Sequence, residues 1–400
     1  MKTRSAPAQT FHVVTAVWGD EFVQLFLTVN VPNQSTRGNL EALPAGSRYR
    51  IFTRPQDVPV LDGSEAVAEL RRSIAVDIVS MDGVDFQTSN RYSLMTSCHQ
   101  RAVAEAAASE AALIFLSGDT FMATHTLARL TEWHARGRRA VVCTGVRLAK
   151  ESFLEALSAR EPGIDGRDLV RLAMRHLHPF TLDHLADGPR FAKFPTAVYW
   201  RAGSTGLIAR NFHLHPLLVD PLRRDVLPKG TIDGRYLARA CGDAAAVHVV
   251  TDSDDLVVFE LSPAARSIAP TVSGGSRLWR TAAVASTCDA RQLEFWKLPV
   301  RLHADDLDAT WRDAEAQSAA FADSVVRFKP VGAALMPLYR RGELIRQQRD
   351  RCKRAWRRRA PRVRAKQLAR PLTLAWHRAA KSLRKRIKHG SRLGRTRQAS

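Results

Sequence analysis

Three groups of side chains in the 400-residue chain have types and spacings that could do chemistry. The first is Asp119, which closes the apolar run 111–116 through Ser117 and Gly118. A carboxylate just past a buried strand is either a solvated turn residue, bonded to its own backbone, or a contact for a ligand beyond the strand end. Asp20 is placed in the same way after the run 11–18, where it either meets a ligand or caps the helix that follows. The second group is Asn211-Phe212-His213-Leu214-His215-Pro216. On a strand His213 and His215 share a face. Side by side they would ligate a metal, or pair a base with its orienting partner, or simply be half-buried imidazoles tied to backbone. The third group is acidic. Asp233, two residues past Thr231, is expected in the first turn of a short helix, where the dipole favours a carboxylate in any role. It is also a candidate base for a hydroxyl proton. Asp252-Ser253-Asp254 lies between two β-rich runs and reads as a polar hairpin turn, with a second acidic contribution to the Asp119 site as the sharper alternative.

Several motifs are missing, and this narrows the class. No GxGxxG follows a strand, and there is no GxxxxGK[ST], HExxH or GxSxG. A dinucleotide, P-loop, zincin or nucleophile-elbow site is therefore not supported. The five cysteines have no CxxC or paired spacing, which fits a reducing compartment rather than a disulfide framework. The run 11–18 is short and broken by His12 and Thr15, so it reads as a strand and not as a signal peptide.

The elements that must position these residues alternate between two periods. Residues 11–18, 47–53, 75–81, 111–116 and 139–145 are continuous or β-branched apolar runs. Between them Phe22, Leu25, Phe26 and Val29 mark one helical face, and Leu94, Cys98, Ala102 and Ala106 another. Thr124 and Gly137 bracket a further helix, as N-cap and stop. The alternation predicts an α/β fold, a mostly parallel, Rossmann-like sheet with flanking helices. With 45% hydrophobic residues the chain has ample material for such a core. Residues 150–188 read as mostly helical, 196–219 as two strands joined by Gly and Ser, 246–261 as a hairpin, and 276–327 as helical, with the last helix starting near Asp305 or Asp306. The expected division is 1–265, then a helical extension 266–339, then a tail 340–400.

The order strand, helix, strand, helix, strand, helix, strand with an acidic end, helix, strand over residues 11–145 resembles the GT-A glycosyltransferase fold. Segments RYSLMTSCHQRA, GLIARNFHLHPLLVDP, GTIDGRY and VTDSDD, as far as Arg312, are further similar to a group of bacterial proteins assigned to this fold. In that family the fourth strand ends in Asp-x-Asp, which holds a metal bridging the diphosphate of a nucleotide-sugar. The matching residues here are Ser117-Gly118-Asp119, so a serine hydroxyl stands where the first acid would be and metal dependence is open. The resemblance implies a transferase moving a sugar from a nucleoside-diphosphate sugar to a glycan or lipid-linked acceptor. Asp20, Ser117, Gly118 and Asp119 would then meet the donor, with Asp119 and His215 on a Mn or Mg ion. Arg101 or Arg210 could add positive charge at the diphosphate, and His213, His215 or Asp233 would serve the acceptor hydroxyl. A nucleotidyltransferase on the same sheet would carry a Gly-rich basic loop after the first strand, which VWGDEF does not provide.

The charge is concentrated at one end. From Arg340 onward there are 23 Lys and Arg and only two acids, Glu343 and Asp350, whereas the body before it has 38 basic and 37 acidic residues. Leu372, Trp376, Ala380, Leu383 and Ile387 form one stripe among Lys381, Arg384, Lys385 and Lys388, the composition of an interfacial helix on an anionic membrane. A cytoplasmic protein held peripherally at the inner face of the membrane is the first expectation, and a solvated tail the second. Nucleic-acid binding through the tail, the alternative to a transferase, ranks last because only Trp356 and Trp376 are there to stack on bases.

Overall fold

Apolar side chains on both sides of the first and fourth strands decide the architecture. The computed structural model describes residues 10–342, apart from 87–88, 161–162, 267, 269 and 273–275. In chain order its strands are β1 (Phe11–Ala16), β2 (Arg48–Thr53), β3 (Ala75–Ser80), β4 (Ala112–Ser117), β5 (Thr120–Met122), β6 (Ala140–Cys143), β7 (Val146–Ala149) and β8 (Phe191–Ala192). They continue with β9 (Ala197–Ala202), β10 (Gly206–Asn211), β11 (His215–Val219), β12 (Val247–Val249), β13 (Val258–Ser262), β14 (Thr271–Val272) and β15 (Val300–His303). Along β1, Phe11 and Val13 enter one buried cluster while Val14 and Ala16 enter another; along β4, Ala112, Ile114 and Leu116 oppose Leu113 and Phe115. Period-two side chains that are apolar on both faces require cover on both faces. Helices Glu65–Ser73 and Thr126–Ala135 cover the first face, and Arg91–Ala108 the second, through Cys98, Ala102 and Ala106. Emptying one such position, as in Ile114→Ala, costs about 2–5 kcal/mol.

The result is a mostly parallel seven-stranded sheet in the order β12-β6-β11-β4-β1-β2-β3, with β11 alone antiparallel to both neighbours. The chain leaves β1 for β2 and β3 on one side, then returns to β4 on the other. The turn of direction between β1 and β4 is a topological switch point, the place where open sheets of this kind bind their ligands. Two three-stranded sheets, β5-β13-β7 and β15-β10-β9, and the pair β14-β8 complete the strands. Residues before Leu335 form one compact unit; of the second, Leu335–Ser400, the structure describes residues up to 342. The tail expectations, including the apolar stripe from Leu372, lie outside the described residues. No described helix is long and apolar enough to cross a membrane.

Several expectations are corrected. The stretch 197–219 is three strands in two sheets: β9 and β10 form the hairpin, and β11 departs for the central sheet. The runs around Asp252-Ser253-Asp254 do not pair with each other, because β12 joins β6 while β13 lies between β5 and β7. The helix after β5 is entered through His125 in the left-handed region (φ 62°), and Thr124 does not cap it. The region 276–327 is interrupted by β15, and its last helix is capped by Asp308, whose carboxylate accepts from the Thr310 N–H.

Candidate functional site

At the switch point the ends of β1 and β4 approach closely. Gly118 follows β4, and a side chain there would meet Val17 Cγ2 at 2.9 Å, so only glycine lets the two strand ends come together. The turn is closed by the Ser117 N–H donating to Thr120 Oγ1 at 3.0 Å, with the two hydroxyls 2.7 Å apart. Beyond it three buried asparagines fix the backbone. Asn30 donates to the Thr120 carbonyl (2.6 Å), Asn33 donates to the Met122 carbonyl and accepts its N–H (both 2.9 Å), and Asn39 does the same for Ala123 and Leu127 (3.2 and 3.1 Å). Asn33 and Asn39 are satisfied on both sides, whereas Asn30 Oδ1 is buried without a partner, and all three come from the segment that follows β1.

Asp119 is therefore aimed, and its neighbours are charged. Its side chain is 17% exposed, and Arg147 Nη1 on β7 lies 3.9 Å from its Oδ2. The same guanidinium bonds Glu260 on β13 at 2.5 Å and Ser262 Oγ at 2.9 Å. Strand pairing sets this up, since Glu260 is in register with Arg147 on one side and Thr120 on the other, and the Leu261 N–H donates to the Asp119 carbonyl. Gly145 leaves room for the Glu260 carboxylate, which a side chain there would meet at 3.0 Å. Burial, then the Glu260 charge, holds the Asp119 carboxyl above the usual carboxylate range, against the pull of Arg147. Just after β7, Lys150 reaches Glu21 at 2.7 Å, so a second cation lies against the first turn of the helix Asp20–Leu25 that follows β1.

The other residues singled out in the sequence are distributed unevenly. Asp20, the first residue of the helix Asp20–Leu25, is 98% exposed and meets Arg54 at 3.1 Å; Gly19, not Asp20, is the N-cap. Arg101 is committed to Glu105 and to the Ser80 carbonyl at the end of β3. Arg210, expected to face the diphosphate, is buried elsewhere, bonding Ser318 Oγ and the Lys297 carbonyl. His213 and His215 do not share a strand face: the chain bends at Phe212–His213, where Asn211 Oδ1 accepts the His213 N–H, and β11 begins at His215. His215 Nε2 lies 3.1 Å from the Phe115 carbonyl. His213 Nδ1 accepts from Gln292 Nε2 (3.1 Å), whose Oε1 takes the Asp289 N–H, and lies 3.4 Å from the Asp233 carbonyl. Asp233 stands in a turn ahead of the helix Tyr236–Ala240, with Oδ1 buried and unpartnered. The segment leading to it starts at the far end of the sheet, where Arg224 bonds the Glu110 and Ala111 carbonyls, and climbs to His213 at the rim where β4 ends. Of the three residues expected at the acceptor, the structure thus brings together His213 and Asp233.

Asp252 and Asp254 form a separate group with His303: Nε2 is 2.9 Å from Asp252 Oδ1 and 3.8 Å from Asp254 Oδ2. Their three ligand atoms lie within 4.8 Å of one another, the donor types that hold a hard or borderline divalent ion. Arg167 already takes both Asp254 oxygens, at 3.0 and 2.8 Å. At Asp119 the donor set does not fit a metal. The position between the two carboxylates belongs to the Arg147 guanidinium, Ser117 Oγ is bonded to Thr120, and His215 is bonded to the Phe115 carbonyl. Arg147 and Glu260 were not singled out in the sequence. An acid inside the apolar run 256–261 and an arginine just past Gly145 were the available signals.

No family model and no curated protein matches the chain. Among solved structures, residues 1–349 of S. aureus TarS match with 11% identity and a TM-score of 0.23, over 34% of this chain and 36% of that one. Another S. aureus TarS structure matches with 9% identity and a TM-score of 0.24, over 36% and 22%. A Bacillus anthracis protein described as a glucose-1-phosphate thymidylyltransferase, solved with sucrose, matches with 12% identity and a TM-score of 0.20, over 36% and 57%. This chain thus spans less than two thirds of the length of each.

Proposed function

We propose that the switch point between β1 and β4 binds a nucleoside-diphosphate sugar and that the protein is a GT-A-type glycosyltransferase acting on a glycan or lipid-linked acceptor. The observation that carries this is Arg147, held by Glu260 and Ser262 beside Asp119 just past the end of β4. Breaking the bond between the anomeric carbon and the diphosphate leaves negative charge on the phosphate oxygens. A guanidinium that is already oriented stabilises that charge without reorganising, and removing such a group costs about 10²–10³ in rate. Its contact with Asp119 is the longer of the two carboxylate contacts, so this is the side open to exchange for a phosphate oxygen. Asp119 is then an acceptor for a sugar or ribose hydroxyl, and Lys150 a second cation nearby. No step needs a metal at this position. Asp233, with an unpartnered oxygen at the rim beside His213, is the group we assign to the acceptor proton. We place the protein at the inner face of the membrane through residues 340–400.

A melting-temperature screen over UDP- and GDP-sugars, with and without Mn²⁺ or Mg²⁺, tests the reading, because a ligand of the native state raises its stability. The expected result is a shift with one nucleotide class that persists in EDTA and disappears in Arg147→Ala. Absence of any shift with either class, or full transfer activity in Asp119→Ala, would end it.

A further inference from the structure

A second concavity opens beside Arg147. Its guanidinium carbon is 5.7 Å from the centre of the Phe180 ring, and Phe180 also lines a cavity of about 180 Å³. The walls are fixed to the switch-point residues from both sides. Residues 263–266 form the turn that follows the strand carrying Glu260 and Ser262; the Pro263 carbonyl is 2.9 Å from His178 Nε2, and the Ala264 N–H donates to Glu151 at 2.9 Å. The space is small beside the ~300–1,000 Å³ of drug-sized pockets, so it suits a single ring and not a nucleotide.

Its polar lining is mixed: one carboxylate, Asp183, and two arginines, Arg190 and Arg266, of which Arg266 lays its guanidinium over the Phe22 ring at 5.3 Å. Asp183 pairs with Arg190 (3.3 Å), and Arg190 also bonds Thr271 Oγ1. Burial raises the Asp183 carboxyl, while Arg190 and then His178 pull it down. His184 Nδ1 is 2.7 Å from the Phe180 carbonyl, and burial pushes its pKa down to about 4. The ring is neutral, its proton is on Nδ1, and Nε2 is left as an acceptor. The Phe180 and His184 rings are 4.3 Å apart, an aromatic floor. Carboxylate and imidazole acceptors, guanidinium donors and a hydroxyl around such a floor match a ring bearing several hydroxyls. A phosphate or carboxylate ligand would meet Asp183 as a like charge.

We propose that this cavity holds the terminal sugar of the acceptor, an uncharged pyranose ring, and this rests on the transferase reading above. The test is saturation-transfer NMR on the intact protein with methyl β-glucoside, methyl β-galactoside and methyl N-acetyl-β-glucosaminide, with inorganic phosphate and methyl glucuronide as anionic probes. One or more neutral glycosides should bind, the anionic probes should neither bind nor displace them, and Asp183→Asn should weaken binding by about tenfold or more. The nucleotide-induced melting shift should be unchanged in that variant. Should Asp183→Asn lower the melting temperature by itself, Arg190→Gln and Phe180→Leu supply the same comparison. No bound glycoside, equal binding in the variants, or displacement by phosphate would overturn the proposal. Glycoside binding that the variants abolish, in a protein that binds no nucleotide-sugar, would overturn the acceptor role and the transferase reading while leaving sugar recognition in place.

Discussion

Two acidic turns sit past strand ends of this fold, Ser117-Gly118-Asp119 after β4 and Asp252-Ser253-Asp254 after β12, and they differ in what surrounds their charge. The second has the full Asp-x-Asp pattern, yet its acids are 37% and 45% exposed, and Arg167 and His303 already satisfy them. The first has a single acid, 17% exposed, with burial and Glu260 raising its cost and a long contact to Arg147, then hydrogen bonds from Ser117 and the backbone, relieving part of it. An exposed, fully paired carboxylate is comfortable and contributes little. A buried carboxylate with incomplete compensation is costly to the fold and persists where the surroundings impose it, which is the signature of a site. Environment, more than motif, separates the two turns.

That contrast can be broken by substitution. Arg147→Ala and Asp119→Ala should each lower sugar transfer by about 10²–10³-fold in steady-state assays. Comparable losses in Asp252→Ala and Asp254→Ala would show that the two turns belong to one site. Next in size is Arg210→Met. It leaves the buried Ser318 hydroxyl and Lys297 carbonyl without their partner, so denaturant unfolding should show a loss of about 1–3 kcal/mol while transfer per folded molecule is unchanged. Equal loss of kcat would return Arg210 to the donor site.

A smaller effect sharpens the contrast through pH. The Asp119 carboxyl is raised in the folded state, so the native protein binds its proton more tightly than the unfolded chain. Stability is therefore lost as pH rises from the ordinary aspartate range through the raised folded value, and stays lost above it. Asp119→Asn should melt higher than the wild type at neutral pH, with the gap closing below the ordinary aspartate range. At Asp254, Arg167 and then His303 hold the carboxyl low, so the sign reverses and Asp254→Asn should melt slightly lower at neutral pH. The same sign in both variants would contradict the electrostatic account.

The sequence was informative where period and burial agree. Continuous apolar runs marked β1, β4 and β6, and the stripe Leu94, Cys98, Ala102, Ala106 marked a helix face that is indeed buried. Asp119 could be singled out because the run before it ends so abruptly. Arg147 and Glu260 could not, because their meeting depends on β7 and β13 pairing across more than a hundred residues, whereas the sequence reads 246–261 as a local hairpin. The histidines failed for a local reason: alternation assumes an unbroken strand, and the side chain of Asn211 turns the backbone at His213. Arg210 failed because strand β10 buries both faces, which an isolated arginine in an apolar run does not reveal.

The most direct measurement is calorimetric titration of UDP and GDP into the wild type, Arg147→Ala and Asp252→Ala. The expected result is that one nucleotide binds the wild type and Asp252→Ala alike and fails to bind Arg147→Ala. Binding retained in Arg147→Ala, or lost in Asp252→Ala, would contradict the assignment of the diphosphate to the switch point between β1 and β4.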